Sequence, residues 1–140
     1  MVINVFCDGS IKGGNPGGHG VGGYVIKHIN GKVVTGTVDL GKSPTMTNNV
    51  AEYSAVVAAL EELVFQDHVG YSSTIAIHCD SKLVVWQCKD VWQCNNDRLM
   101  KMRDDIWMLC GLFACDITFT WIPREENTEA DEVSRSLYED

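Results

Sequence analysis

Apolar positions change their spacing along the chain, and each spacing predicts a type of element. Short apolar or alternating runs predict five strands, at Val2–Asp8, Tyr24–Ile29, Lys32–Leu40, Thr74–Asp80 and Cys115–Trp121. Gly9–Gly23 is rich in glycine and predicts a connection, and Asn30-Gly31 is a hairpin signal. The first three strands are therefore expected to form an antiparallel meander.

Four helices are predicted between and after these strands. An alanine-rich segment without glycine or proline predicts a long helix that Thr47 caps and that ends near Gln66. Shorter helices are expected with caps at Ser81, at Asn95 or Asn96, and at Asn127. The order β-β-β-α-β-α-α-β-α is mixed α/β. A right-handed crossover through the long helix would place the fourth strand parallel to the first.

Three acidic residues lie in apolar surroundings where no other formal charge is near. Asp8 and Asp80 end the first and fourth predicted strands, and Glu52 lies in a helix whose apolar residues occupy every side. A buried carboxylate without a partner is costly, so a bound cation is the natural counter-charge. One such residue alone is commonly a cap or a turn former. Three together, two of them expected at one edge of the sheet, indicate a metal site.

Length and composition narrow the class of protein. The 140 residues are enough for a single domain, residues 1–140, with its own core. No segment has the length and apolarity of a membrane span, and the N-terminus lacks a secretion signal. The six cysteines form no C-x-x-C pair, which favours free thiols in a reducing compartment over disulfides or zinc. We therefore expect a cytoplasmic monomer that binds no membrane.

Two features bear on the ligand. The net charge of −8 argues against a general nucleic-acid binder, although divalent metals would reduce this objection and hybrid binding would then rest on few contacts. Gly18–Gly23 fits the G-x-G-x-x-G fingerprint of dinucleotide-binding proteins. That motif should follow a strand and begin a helix, whereas here a predicted strand follows it, which argues against a nicotinamide oxidoreductase.

Four segments, in order along the chain, resemble the type 1 ribonuclease H family. They are residues 8–10 with 14–17, residues 47–52, residues 79–81 and residues 123–131. The resemblance implies a ribonuclease H-like α/β fold, with a five-stranded mixed sheet of three antiparallel and then two parallel strands flanked by helices. It also implies endonucleolytic hydrolysis of the RNA strand of RNA–DNA hybrids. The Arg-Glu-Glu-Asn sequence at 124–127 is typical of one branch of that family.

The resemblance implies a set of site residues. It assigns the catalytic and metal-binding roles to Asp8, Glu52, Asp80 and Asp131, which would hold two Mg²⁺ ions, or Mn²⁺, about 4 Å apart. Asp131 is identified by the resemblance alone, because it lies among other acids. Contacts to the 2′-hydroxyl are implied for Asn15, Asn48 and Asn49, and contacts to a DNA phosphate for Thr47 and Asn96. The role that a loop histidine has in many relatives would be vacant or pass to Arg124 or Glu125, and from its permanent charge we expect Arg124 to contact the scissile phosphate or the departing product.

Two departures from the family pattern shape these expectations. Residues 89–95 are too short for the basic protrusion that many relatives use to hold the hybrid, and the loop before Asp131 contains no histidine. We therefore expect no histidine to be essential, with His19 and His78 in structural roles. Alternatives left open are the same fold acting also on double-stranded RNA and a non-catalytic hybrid-binding module, although the complete carboxylate set argues against the module.

Overall fold

The computed structural model describes residues 1–66 and 74–138. Its strands are β1 (Val2–Lys12), β2 (His19–Lys27), β3 (Val33–Lys42), β4 (Thr74–Cys79) and β5 (Asp116–Trp121). Its α-helices are α1 (Asn48–Gln66), α2 (Lys82–Cys88), α3 (Asp97–Cys110) and α4 (Thr128–Arg135). Single turns of 3₁₀-helix span Arg124–Glu126 and Ser136–Tyr138.

The five strands form one mixed sheet in the order β3-β2-β1-β4-β5. β3, β2 and β1 pair antiparallel, whereas β4 lies parallel to both β1 and β5. The predicted meander and crossover are therefore confirmed. The register pairs Cys7 with Cys79, so Asp8 within β1 lies beside Asp80, which directly follows β4.

The prediction that β1 ends at Asp8 and that Gly9–Gly23 is a loop is wrong. β1 continues to Lys12, and its antiparallel pairing with β2 extends from Asn4 opposite Lys27 to Lys12 opposite His19. Packing explains the glycines within these strands. A Cβ atom on Gly9 would lie 2.3 Å from the Glu52 backbone nitrogen in α1, and one on Gly23 would lie 2.5 Å from the Ser134 nitrogen in α4. Glycine therefore permits close helix–sheet contact here, instead of forming a turn.

α1 is the central helix of the core, as its all-round apolar pattern predicted. Every residue from Val50 to Val56 is buried, and α1 packs against the first three strands, α2 and α3. Tyr53, Leu60 and Leu63 are fully buried there. Each large apolar side chain removed from water stabilises the fold by about 1.5–3 kcal/mol, so this helix holds its position firmly. α4 packs against β1 and β2.

Three of the four predicted helix caps are confirmed. The Thr47 hydroxyl accepts from the Val50 N–H at 3.2 Å, Asn96 Oδ1 accepts from the Leu99 N–H at 3.0 Å, and Ser81 Oγ accepts from the Val84 N–H at 3.3 Å. Asn127 immediately precedes α4, but its side chain makes no capping hydrogen bond. Its amide instead donates to the Cys7 carbonyl oxygen in β1.

All six cysteines lie among the described residues and are free thiols. Burial raises the pKa of the Cys7 and Cys79 thiols well above the usual range, and the Glu52 charge raises them further. Among the helices of the described part, none combines the length and apolarity needed to cross a membrane.

Candidate active site

Three carboxylates converge at the centre of the sheet edge. Asp8 comes from β1, Asp80 follows β4, and Glu52 comes from the first half of α1. One ligand oxygen from each lies within 4.8 Å of the others. Asp8 and Glu52 are buried, with 5% and 4% of their surface exposed, whereas Asp80 is half-buried. The acids that the sequence pattern singled out are therefore close neighbours.

Glu52 is held in this cluster by the backbone of β1. Its Oε2 accepts a hydrogen bond from the Gly9 N–H at 3.0 Å, and the Cys79 thiol lies 3.9 Å from the same oxygen. The close contact requires glycine at position 9, because any side chain there would collide with α1. The same residue that lets the helix approach the strand also orients the helix's only buried acid.

Asp131, identified by resemblance alone, lies in the first turn of α4 beside this cluster. It is half-buried, and its carboxyl group is near enough to that of Asp8 to raise the pKa of Asp8. Arg135 Nε, one turn further along α4, donates to Asp131 Oδ1 at 3.0 Å. The structure thus brings all four predicted carboxylates to one place.

Burial is the main cause of the altered pKa values in the cluster. It raises the pKa of Asp8, and the negative charges of Asp80 and Asp131 raise it further. Burial and the charges of Asp8 and Asp80 raise the pKa of Glu52 against the opposing effect of the Gly9 N–H. The pKa of Asp80 is also raised by burial, although the Asn127 amide and the Arg124 charge partly offset this effect.

The residues present fit hard divalent cations. Among the described residues, no lysine or arginine forms an ion pair with Asp8, Glu52 or Asp80. Carboxylate oxygens are the ligands that Mg²⁺ and Mn²⁺ prefer, and like charges this close need a counter-ion to ionise together. Asp8, Glu52, Asp80 and Asp131 are the residues that could hold such ions.

Asn127 was predicted only as a helix cap, and the structure shows a further role. It is 1% exposed, and its Nδ2 donates to the Cys7 carbonyl oxygen at 2.8 Å and lies 3.5 Å from Asp80 Oδ2. One amide group therefore joins β1, the Asp80 carboxylate and the start of α4. An asparagine within an otherwise charged loop, four residues before Asp131, was the one available signal.

The three asparagines assigned to 2′-hydroxyl contacts lie at the entrance to α1. Asn15 Oδ1 accepts from the Asn48 backbone N–H at 3.2 Å, which joins the β1–β2 turn to the first turn of the helix. Asn15 and Asn48 line the groove next to the carboxylates, and Asn49 is exposed beside them. Their Nδ2 groups are not used in any hydrogen bond among the described residues.

Thr47 and Asn96 lie at the starts of α1 and α3, and both cap their helices. A further residue links the two helix starts, because Arg98 Nη1 donates to the Thr45 carbonyl oxygen at 3.3 Å. Thr47 is half-buried and Asn96 is exposed. The capping bonds occupy one acceptor of each side chain, so the Thr47 hydroxyl proton and the Asn96 amide protons are still available to an anion.

A groove of about 540 Å³ runs beside the carboxylates. It is lined by Gly9, Ser10, Ile11, Lys12, Asn15, Asn48, Arg124, Asp131, Arg135 and Tyr138. Arg124 is exposed in the 3₁₀ turn before α4, close enough to Asp80 to lower the pKa of that carboxyl group. The Asp131 carboxylate and three basic side chains, Lys12, Arg124 and Arg135, therefore share one opening.

The described histidines make contacts outside the carboxylate cluster. His19 Nε2 pairs with Asp39 at 2.6 Å, and His28 bonds to Gln66. His78 bonds to Asn4 and stacks on Phe6, with ring centres 4.7 Å apart, and burial lowers its pKa. His68 lies outside the described residues.

The two tryptophans near the α2–α3 connection pack against each other. Trp86 is half-buried against the core, and the centre of its ring lies 6.5 Å from that of Trp92. Trp92 is 45% exposed. Trp86 therefore packs against the core, whereas Trp92 lies largely at the surface.

Comparison with known proteins gives consistent results. The family model described as reverse transcriptase-like matches residues 6–137. The chain is 33% identical over 135 residues to a bifunctional protein of Mycobacterium tuberculosis, covering 96% of this chain and 35% of that protein. It is 32% identical over 138 residues to ribonuclease HI of Halobacterium salinarum, covering 99% and 65%. The chain thus spans about a third of the mycobacterial relative and just under two thirds of the archaeal one.

Solved structures show the same architecture. Ribonuclease H1 of Halobacterium salinarum superposes with a TM-score of 0.84, at 29% identity and with 100% of both chains covered. LC11 ribonuclease H1, solved in complex with an RNA/DNA hybrid, gives a TM-score of 0.83 at 29% identity, covering 96% of this chain and 94% of that one. The chain belongs to the type 1 ribonuclease H family.

Proposed function

We propose that this protein is a metal-dependent endoribonuclease that hydrolyses the RNA strand of RNA–DNA hybrids. The observation that supports this most directly is the convergence of Asp8, Glu52 and Asp80 within 4.8 Å. A relative of this family, LC11 ribonuclease H1, has been solved with an RNA/DNA hybrid. An open groove, lined by Asp131 and by Gly9 next to Asp8, runs beside the carboxylates and could admit a nucleic-acid strand.

The four carboxylates would hold two divalent ions, for which we propose Mg²⁺, with Mn²⁺ as a substitute. When bound, such ions activate a water molecule and stabilise the oxygen that leaves the phosphodiester. Gly9 fixes the orientation of Glu52 through its N–H, and Asn127 does the same for Asp80 through its amide. The protein's contribution is thus a set of acids whose positions are already fixed before substrate binds.

The groove residues would select the substrate. Asn15, Asn48 and Asn49 have free amide donors at the mouth of the groove, and a 2′-hydroxyl can accept from them. Thr47 and Asn96 would bind a phosphate of the DNA strand at the two helix starts that Arg98 links to each other. Arg124 would contact the scissile phosphate or the product, because it is exposed beside Asp80 and permanently charged.

Several finer assignments belong to this proposal. Residues 1–140 would form one ribonuclease H domain, which is supported by the single core around α1. The chain would belong to the branch with Arg-Glu-Glu-Asn before the last aspartate, act as a monomer and work in the cytoplasm. Free thiols at all six cysteines favour such a reducing compartment.

The test uses strand-labelled substrates of equal sequence: an RNA–DNA hybrid, duplex RNA and duplex DNA. Each is incubated with Mg²⁺, with Mn²⁺ or with chelator. Cleavage confined to the RNA strand of the hybrid, and abolished by chelator, is expected. Cleavage of duplex RNA would extend the activity to the second substrate, and binding without cleavage would indicate a hybrid-binding module instead. Asp8→Asn is the matched inactive control.

A further inference from the structure

The groove beside the carboxylates is locally basic in an acidic protein. Its described lining contains Lys12, Arg124 and Arg135 but a single acid, Asp131. The whole chain has 11 lysines and arginines against 19 acids, for a net charge of −8. Such a local excess of cations favours an anionic ligand in the groove.

One wall of this groove is fixed by hydrogen bonds. The Tyr138 hydroxyl donates to the His19 carbonyl oxygen at 2.6 Å, and the Ser10 hydroxyl donates to the Ser134 carbonyl oxygen at 3.1 Å. The 3₁₀ turn after α4 is therefore fastened to β1 and β2. Lys12 Nζ lies 5.6 Å from the centre of the Tyr138 ring, so this lysine is positioned by an aromatic side chain that is itself held in place.

Arg135, on the same wall, has hydrogen-bond donors that no described residue uses. Its Nε binds Asp131, but its side chain is 56% exposed and its two Nη groups have no hydrogen-bond partner among the described residues. Lys12 likewise forms no ion pair within the described part of the chain. A guanidinium can hold a carboxylate with one edge and bind phosphate oxygens with its other nitrogens.

The neighbouring residues indicate which strand supplies the phosphates. Asn15 and Asn48, to which we assign 2′-hydroxyl contacts, line the same groove as Lys12 and Arg135. A strand whose 2′-hydroxyls meet those asparagines must follow this groove. We infer, on the basis of the proposed function, that Lys12 and Arg135 bind phosphates of the RNA strand beside the carboxylates and that Tyr138 holds their wall in place.

Binding is measured in an Asp8→Asn background, which keeps the hybrid intact, over a series of salt concentrations. Lys12→Ala should weaken hybrid binding about fivefold and reduce the slope of log affinity against log salt by about 1, as expected for one lost phosphate contact. Arg135→Ala should do the same, whereas Arg135→Lys should keep most of the slope because it keeps the charge. Lys32→Ala, in the exposed turn between β2 and β3, is the matched control and should change neither quantity.

Uncharged methylphosphonate linkages then identify the strand. When they replace RNA phosphates near the cut site, Lys12→Ala should cause no further loss, because the contact has already been removed. When they replace DNA phosphates, the full loss should remain. Wild-type affinity and slope in both alanine variants would overturn the inference, as would a loss that only DNA substitution removes.

Cleavage of the hybrid by the wild-type protein is measured in parallel. Its absence would contradict the proposed function and the inference with it. Normal wild-type cleavage, combined with unchanged binding by the two alanine variants, would contradict only the inference.

Discussion

The centre of the site, which is the carboxylate cluster, and the rim of the groove beside it are built in opposite ways. At the centre, Asp8 and Glu52 are almost completely buried, and Glu52 accepts a backbone hydrogen bond from Gly9. At the rim, Asn49 and Arg124 are exposed and their side chains make no hydrogen bond among the described residues. Positions that must hold charge against repulsion are fixed by packing, whereas the positions that we propose contact a ligand make no hydrogen bond within the described part of the chain.

We therefore expect substitutions in the two regions to have different effects. Changes at the centre should alter both chemistry and stability, because the same contacts serve both. Changes at the rim should alter binding or cleavage and leave stability almost unchanged, since surface substitutions away from such contacts are usually within about 0.5 kcal/mol.

The largest effect is expected at the buried centre. Asp8→Asn should lower hybrid cleavage by about 1,000-fold or more while the fold is kept, because it removes a charge that the metals require. In chelator the variant should unfold at higher temperature than wild type, since a buried repulsion has been removed. Single-turnover cleavage and thermal unfolding check the two parts, and an active or less stable variant would contradict them.

The next effect tests the contact between strand and helix. Gly9→Ala should destabilise the protein by about 1–3 kcal/mol or more, because the new methyl group would collide with the backbone of α1 at Glu52. Denaturant unfolding measures the loss. Gly111→Ala is the control, because that residue has an ordinary helical φ of −67° and should tolerate a methyl group. Equal stability of the two variants would mean that the close approach at Gly9 is not needed.

At the rim, Asn49→Ala should reduce hybrid cleavage about tenfold, the equivalent of one hydrogen bond of about 1.4 kcal/mol. Its unfolding free energy should match that of wild type. Replacing the 2′-hydroxyls near the cut site by hydrogen should remove the difference between the two proteins. A destabilised variant, or one insensitive to that replacement, would place Asn49 in the fold instead of the recognition surface.

A smaller effect concerns pH in the absence of metal. The pKa values of Asp8, Glu52 and Asp80 in the folded protein lie above their ordinary values. At a pH between the unfolded-state and folded-state pKa values, the folded protein therefore binds more protons than the unfolded chain. Its stability in chelator should therefore fall as pH rises from about 5 to about 8. Urea unfolding of wild type and Asp8→Asn across this range gives the difference curve. A wild-type advantage that grows with pH would reverse the sign and reject the explanation.

The smallest effects are expected from the histidines. Single alanine substitutions of His19, His28, His68 and His78 should leave single-turnover cleavage within about tenfold of wild type. The three described histidines contact Asp39, Gln66 and Asn4, which lie outside the carboxylate cluster of the site. Circular dichroism confirms that each variant is folded. A folded variant that loses two or more orders of magnitude would show that a histidine takes part in the chemistry.

The sequence by itself determined the order of elements, the sheet class and three of the four carboxylates. Isolation of charge was the reason: Asp8, Glu52 and Asp80 each stand alone in apolar surroundings, which is costly without a counter-ion. The same criterion missed Asp131, which lies among solvent-exposed acids and needed the family resemblance. The order of the predicted elements also indicated the sheet edge at which β1 and β4 meet, because a parallel crossover determines which strand ends are neighbours.

Only the tertiary structure decided why the glycines are there and what Asn127 does. Glycine composition favours turns locally, but Gly9 and Gly23 lie inside strands where helices approach to within a side chain's width. Asn127 precedes a helix, where a cap is the local expectation, yet its amide is buried against Cys7 and Asp80. Both corrections have one physical cause: local propensity describes a chain segment alone, whereas these residues satisfy contacts with segments more than 40 positions away in the sequence.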